Sequence, residues 1–440
     1  MKKSVLCICI FMVALTVLAW FSQISNIAGK KADFKENVAL AEGFIEEGLY
    51  QKAIDAYEKA LKIKEDESAR KALIETGKIA VADGVIPNSD LTKIIEAACD
   101  VYPENVELRE ELLSHYLDTQ NYTKAHKAYN DCLNDEITSD NIKSLGNKIK
   151  YLYTVGGKAY TDYIRTPNGY ATVADGEEWG VVDPAGERII DCDYAYISPY
   201  NLDCSAVFVT DKDARLINKD NVVEKIVKAD VVNALAYGDN LLPVCNEDGE
   251  WRYLNCESGK YELGTYDAAS SFKNGIAAVC KDGKWTLINT KNEKVCETSF
   301  DDVKLHDNGD YVYKDVMIAS VDGKYGIYDA KGKALCDFKS VDMDVYCGGD
   351  IAYCSKDGKW GFVDTKGKET IKAQYENAKS FSNTLAGVCK DGKWGYIDKN
   401  NILVIENQFI EAGYFSNKGV CFVSLGEGEY QLLKIRFFEK

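Results

Sequence analysis

Histidine is scarce in this chain. Of 440 residues only His115, His126 and His306 are histidines, and none stands in a metal-ligand spacing or beside a nucleophile motif. His126 adjoins the small residue Ala125, and His306 takes an aromatic place six residues after Phe300, so packing explains both. There is no GxSxG, P-loop, GxGxxG or HExxH segment, which removes the commonest hydrolase, nucleotide and metalloprotease chemistries. The absence of a CxxC pair or a Cys/His cluster leaves no zinc site to expect. Positive charge is also short: 53 Lys and Arg against 70 Asp and Glu give a net charge of -17. The resulting field repels phosphates, so neither nucleic acid nor an anionic lipid surface is an expected partner, and a basic one fits better. Asp211 and Asp213 hint at a calcium loop, but the glycine and closing Glu of such a loop are missing. No catalytic, cofactor-binding or metal-binding residue is assigned.

Long apolar runs are limited to one. Ser4 to Phe21 carries no charge, about the length of a helix that crosses a bilayer. Without a small-x-small cleavage site before Trp20, residues 1–30 read as an uncleaved transmembrane signal anchor. The expected location is the cell membrane, single-pass, with most of the chain extracytoplasmic. Lys30, Lys31 and Lys35 weaken the charge asymmetry, and a cytosol-facing scaffold competes. Fifteen cysteines are present. Cys245, Cys280, Cys354 and Cys389 recur at equivalent points of a repeat, where side chains point into their own units, so buried thiols are expected rather than disulfides. They imply a reducing compartment or an anaerobic habitat.

Residues 31–150 have helical periodicity. LAEGFIEEGLYQKAIDAYEKAL and LLSHYLDTQNYTKAHKAYNDCL match at a separation of 72 residues, with Ala53 and Ala125 as small contact points and Tyr57 and Tyr129 as fillers. That separation is about twice a 34-residue period, leaving room for a degenerate middle copy. The segment resembles the tetratricopeptide family, with Ala41 and Glu65 departing from its pattern. In that family the first helix of each pair lines a peptide groove. The resemblance implies groove positions Lys35, Val38, Glu42, Ile45 and Glu46, then Glu107, Glu110, Ser114, Leu117 and Asp118. Five of the ten are acidic, which suits a basic peptide; the alternative is the solvated face of a spacer.

Past Leu152 the chain reads as all β, short alternating runs separated by turn dipeptides. GIAAVCKDGKWTLINTKNEK, IAYCSKDGKWGFVDTKGK and LAGVCKDGKWGYIDKNN are copies of one motif around Trp285, Trp360 and Trp394. Weaker copies centre on Trp179, Ala214, Trp251, Tyr325 and Tyr430, at spacings of 34 to 40 residues. Upstream stand aromatic pairs with five residues between their members, such as Tyr266 and Phe272 or Phe409 and Phe415. The DG of KDGKW supplies the positive φ angles of a tight hairpin turn, and the Trp opens the return strand. One unit has too few strands to bury a core alone and must stack on its neighbours. These residues resemble the WG-repeat family, with Ala214, Arg252 and Thr286 as departures. The resemblance implies a β-repeat architecture used for binding, with no general catalytic set.

The expected fold is therefore α plus all-β: a transmembrane helix, tetratricopeptide-like α-hairpins over 31–150, and a β-propeller of about eight blades over 158–440, or else an open β-solenoid. Closure is favoured because it removes free sheet edges. The expected function is a membrane-anchored, non-catalytic interaction or scaffold protein with a protein, peptide or cell-wall glycan partner. The competing class is a cell-envelope propeller enzyme acting on a glycan or peptide, which acids converging at one mouth of the domain would favour.

Overall fold

A computed structural model describes residues 29–200, 206–209, 214–217, 222–227 and 233–437. The chain divides into two compact units near residue 150.

The first unit holds seven helices among the described residues. They are α1 (29–46), α2 (Tyr50–Ile63), α3 (Glu67–Ala82), α4 (Asn88–Val101), α5 (Val106–Asp118), α6 (Tyr122–Asn134) and α7 (Asp140–Lys150). Three starts are set by side-chain caps: Asp66 accepts from Ala69 N–H, Asn105 from Leu108 N–H, and Ser139 Oγ from Ile142 N–H. The first helix of each of three hairpins ends the same way. Gly48, Gly84 and Gln120 take left-handed φ values of 72°, 70° and 56°, and the next residue's N–H returns to the last turn (Leu49 to Phe44 O, Val85 to Ala80 O, Asn121 to Tyr116 O). These caps fall 36 residues apart, so the 72-residue separation resolves into two equal steps with α3–α4 as the middle hairpin. Ala53 and Ala125 are fully buried, which lets the helices approach closely.

No helix among the described residues is long and apolar enough to cross a membrane. Helix α4, for example, is amphipathic, burying Leu91, Ile94, Ile95, Ala98 and Cys99 on one face. The expectation of a single-pass membrane protein with an extracytoplasmic bulk is corrected accordingly. The apolar run Ser4–Phe21 lies outside the described residues, as do Asp211 and Asp213.

The second unit is a β-propeller. Its antiparallel sheets follow one another along the chain: I (162–194), II (196–227), III (233–266), IV (268–289), V (302–329), VI (342–375) and VII (377–409). These seven are continuous stretches. The last copy, at Tyr430, supplies only three strands, and sheet VIII (411–435) takes its outer strand from Tyr153–Tyr160, paired Tyr153 to Ile435 through Tyr160 to Tyr430. Sheets IV and V have three regular strands, and their outer edge is made by single bridges such as Trp285–Phe300 and Tyr325–Ser340.

Apolar clusters lie between consecutive sheets. One joins VII to VIII through Tyr396, Phe409, Phe415 and Leu433, and another joins VIII back to I through Phe422, Leu432, Val173 and Val182. The ring is therefore closed, and the open solenoid is excluded. Closure also explains why the β unit begins at Tyr153: the first strand is the outer edge of the last sheet, where it removes an exposed edge.

The motif residues take related positions in each sheet. Cys245, Cys280, Cys354 and Cys389 face Trp251, Trp285, Trp360 and Trp394 across the central strand pair. Those tryptophans in turn face Tyr266, Phe300, Tyr375 and Phe409 on the outer segment. Sheets IV, V and VII turn through Asp282-Gly283, Asp322-Gly323 and Asp391-Gly392, all at positive φ. Sheet VI differs: Ser355 adds one residue, and a wider loop forms with only Gly358 at positive φ.

All twelve described cysteines are free. Burial pushes the Cys99 thiol up to about 11 and the Cys421 thiol up to about 12. The folded chain at pH 8 is expected to react slowly with an aromatic disulfide reagent, and the denatured chain fast and completely. Rapid titration of most thiols in the folded chain would contradict their placement in the core.

Candidate functional site

The ten helical groove positions are all at least partly exposed. Lys35, Glu42, Glu46, Glu107 and Asp118 are exposed, while Val38, Ile45, Glu110, Ser114 and Leu117 are half-buried. They do not form one free acidic surface. Glu107 is bound by Lys71 of α3, which also meets Glu67 at 3.1 Å, and Lys78 of α3 meets Glu111 at 2.7 Å. Glu110 points elsewhere, accepting from Ser139 Oγ at 2.5 Å and Asn141 Nδ2 at 3.1 Å, and Ser114 donates to Asp118 at 3.5 Å. The Lys71 ammonium holds the Glu107 carboxyl below its usual range. Lysines of the middle hairpin thus neutralise part of the charge that would draw a basic peptide. A groove of about 490 Å³ between α2, α3 and α4 is floored by Ile54, Leu61, Leu73 and Ile94, with scattered charges at its rim and no converging polar group.

Chemistry converges instead at one mouth of the propeller. An open groove of about 350 Å³ is bounded by the inner strands of sheets V to VIII and includes Lys304, Asp307, Asp342, Asp344, Lys379, Trp360, Trp394 and Tyr414. Lys304 pairs with Asp342 at 3.0 Å and lies 4.6 Å from the centre of the Tyr325 ring. Asp344 accepts from Tyr414 Oη at 2.7 and 2.8 Å and from Ser380 N–H at 2.6 Å. Burial, and after it the Asp344 charge, hold the Tyr414 phenol far above its usual value. Lys379 stands over two rings, 5.1 Å from the centre of Tyr414 and 5.9 Å from that of Trp394, with no carboxylate partner among the described residues.

Arg165 approaches Tyr414 from sheet I, its guanidinium carbon 5.3 Å from the ring centre. Its Nη2 reaches Phe415 O at 3.3 Å and Ser382 Oγ at 3.4 Å; among the described residues Nε has no partner and the buried side chain meets no carboxylate. Asp307 is exposed to the groove, within the fields of Lys379 and Arg165.

The repeated aromatics do not form an outward sugar ladder. Trp285 is buried and Trp179, Trp251, Trp360 and Trp394 are half-buried, each packed in a cluster between sheets. Only Trp360 and Trp394 also present an edge to the groove. Reading the sequence alone missed the channel-mouth residues. Their signal was available: Lys304, Asp344 and Lys379 are charged residues lying between the two members of the upstream aromatic pairs or their equivalents.

The profile of the WG-containing repeat family matches residues 264–285, 360–394 and 394–428. Three stretches of the β unit are thus WG-containing repeats. The second match runs from Trp360 to Trp394, so a WG repeat in sequence takes the last two strands of sheet VI and the first two of sheet VII. Among solved structures, similarity is found to BamB from Moraxella catarrhalis, at 11% identity and a TM-score of 0.42, covering 64% of this chain and 100% of that one. Hsv2 from Kluyveromyces lactis is similar at 12% identity and a TM-score of 0.37, covering 60% and 93%. The WD40 β-propeller domain of Doa1 is similar at 17% identity and a TM-score of 0.29, covering 53% and 90%. No curated protein matches the chain.

Proposed function

We propose that this is a non-catalytic interaction protein whose propeller receives a protein partner at the channel mouth. The observation that carries this reading is the 350 Å³ groove, where Trp360, Trp394 and Tyr414 offer half-buried aromatic edges beside charged groups fixed by internal bonds. Half-buried aromatics on a rigid frame are the usual anchors of an interface, because they gain buried area without losing much side-chain freedom. In the same reading the helical hairpins act as a spacer or a second, peptide-binding arm.

The test is capture of partners from native extract by the full chain, compared with Trp360→Ala and Trp394→Ala. Partners captured by the wild type should fall by about tenfold or more with either variant, as expected for an anchor worth 2 kcal/mol or so. Unchanged capture would place binding elsewhere on the molecule.

A hydrolytic reading has one observation behind it, the convergence of Asp307, Asp342 and Asp344 at the same mouth. Asp342 is tied to Lys304 and Asp344 to Tyr414, which leaves Asp307 as the exposed acid at the mouth. Turnover of a glycan or peptide that disappears in Asp307→Asn would replace the binding reading.

A further inference from the structure

The groove opens on the same face of the propeller as the hairpins that carry the KDGK motif, because the inner strands that floor it begin opposite the ends of those hairpins: Asp342 pairs with Cys354 and Asn377 with Cys389. The hairpin tips of sheets IV to VII present Lys281, Lys324, Lys356, Lys359, Lys390 and Lys393, all exposed and none in an ion pair among the described residues. Lys284 is the exception, paired with Asp301 at 2.6 Å. Each of these turns also holds one aspartate, and Asp301 and Glu376 accept from the Gly323 and Gly392 N–H groups beside them, so the lysines exceed the acids within the turns themselves. The tips of sheets I, III and VIII are the reverse, with Glu177, Glu178, Glu247, Asp248, Glu427 and Glu429 and no basic residue. On a chain of net charge -17, the lysines are thus gathered on one half of one rim.

In the groove beneath that half, Asp342 and Asp344 are engaged by Lys304, Tyr414 and the Ser380 amide, and Asp307 is exposed, while among the described residues neither Lys379 nor buried Arg165 on the same Tyr414 ring is paired with a carboxylate. A buried guanidinium without a counter-charge is costly, and an incoming carboxylate relieves that cost.

We propose that an acidic, extended segment of a partner protein docks across the hairpin tips of sheets IV to VII and sets a carboxylate against Lys379 at the channel mouth. This rests on the interaction reading above and names the chemistry of the partner, acidic where overall charge pointed to a basic one. Local complementarity governs here because screening shortens the reach of the overall negative charge to about 10 Å at ordinary salt. A second copy of the chain, offering its acidic tips, meets the rim tip to tip and leaves the concave groove empty, so a peptide segment is the better fit.

The experiment measures binding of a fluorescein-labelled peptide of alternating Glu and Gly to the full chain by anisotropy, at low and at physiological salt, with a Lys and Gly peptide as the counterpart. Lys356→Glu, Lys390→Glu and Lys393→Glu are combined in one variant, Glu177→Lys, Glu178→Lys and Glu247→Lys in a second, and Lys379→Met makes a third; circular dichroism verifies that each is folded. The acidic peptide is expected to bind the wild type, to weaken with salt, to weaken about tenfold or more in the first and third variants, and to be unaffected in the second. The proposal is overturned by no binding at low salt, by preference for the Lys peptide, by equal binding to the first variant, or by self-association that both reversals abolish. If the peptide does not bind yet partners are still captured through Trp360 and Trp394, the interaction reading stands and the acidic chemistry alone is lost.

Discussion

Gly395→Ala is expected to lower the stability of the chain by about 3 kcal/mol, with a thermal midpoint several degrees down, while Gly387→Ala in the same sheet leaves it unchanged or slightly raised. Gly395 is the glycine of a Trp-Gly pair. A Cβ there would lie 2.5 Å from Ile405 O, 2.8 Å from Asn407 N and 2.9 Å from Glu406 C, all backbone that cannot rotate away. The cause is a bulge in the outer strand. Trp394 faces Phe409 and Tyr396 faces Ile405, so two steps on the central strand are matched by four on its neighbour, and the surplus chain presses onto Gly395. Gly180 and Gly361 stand over equivalent bulges, with nearest backbone atoms at 2.5 and 2.6 Å.

Gly387 is the control, because a Cβ there meets nothing closer than 3.6 Å and its φ is not positive. An alanine fits and also removes freedom from the unfolded chain, worth about 0.4–1 kcal/mol in its favour. Chemical or thermal denaturation of the two variants decides the matter, and equal losses in both would refute the bulge explanation. The same geometry bears on one departure from the motif. In sheet III, where Arg252 replaces the glycine, the outer strand passes through Leu263 and Gly264 at φ 68° and 93°.

His306→Phe is expected to make the protein less sensitive to acid. His306 is buried at the place occupied by Phe272 in sheet IV and Phe381 in sheet VII, with its ring centre 6.2 Å from that of Tyr313. Burial, with some help from the Arg165 charge, lowers its pKa to about 3. The folded state therefore keeps His306 neutral where the unfolded chain, titrating near 6.5, already binds a proton. Its contribution to stability is fully present above about pH 6.5 and is lost as pH falls toward 3, at about 1.4 kcal/mol per pH unit. At pH 4 this amounts to about 3 kcal/mol.

The carboxylates titrate in wild type and variant alike, so the stability difference between the two isolates the histidine. That difference should be flat above pH 7 and should shift in favour of the variant as pH drops. Parallel profiles of unfolding free energy against pH would show that His306 is not buried in its neutral form.

The helical hairpins and the β repeats were both legible from periodicity. The spacing of Tyr57 and Tyr129 announced the hairpins, and the recurrence of KDGKW announced the sheets. The middle hairpin was legible only as a degenerate copy ending in Ala98 and Pro103, since most of its packing residues differ. Its mark was Gly84, a backbone signal 36 residues from Gly48. The candidate helical groove was read from a pattern of acids, but the pattern could not show that Lys71 and Lys78, one hairpin away, would face Glu107 and Glu111.

What the amino-acid sequence determined by itself is local: helix ends through caps, hairpins through Asp-Gly turns, and the repeat unit through alternation and the Trp-Gly pair. These depend on neighbours within a few residues, and a linear pattern records them. Tertiary structure alone decided that the first β-strand completes the last sheet. It also brought Arg165, Asp344, Lys379 and Tyr414, up to 249 residues apart in the chain, to one channel mouth. Ring closure is a property of all the sheets together, set by the apolar clusters between them, and no single repeat carries it.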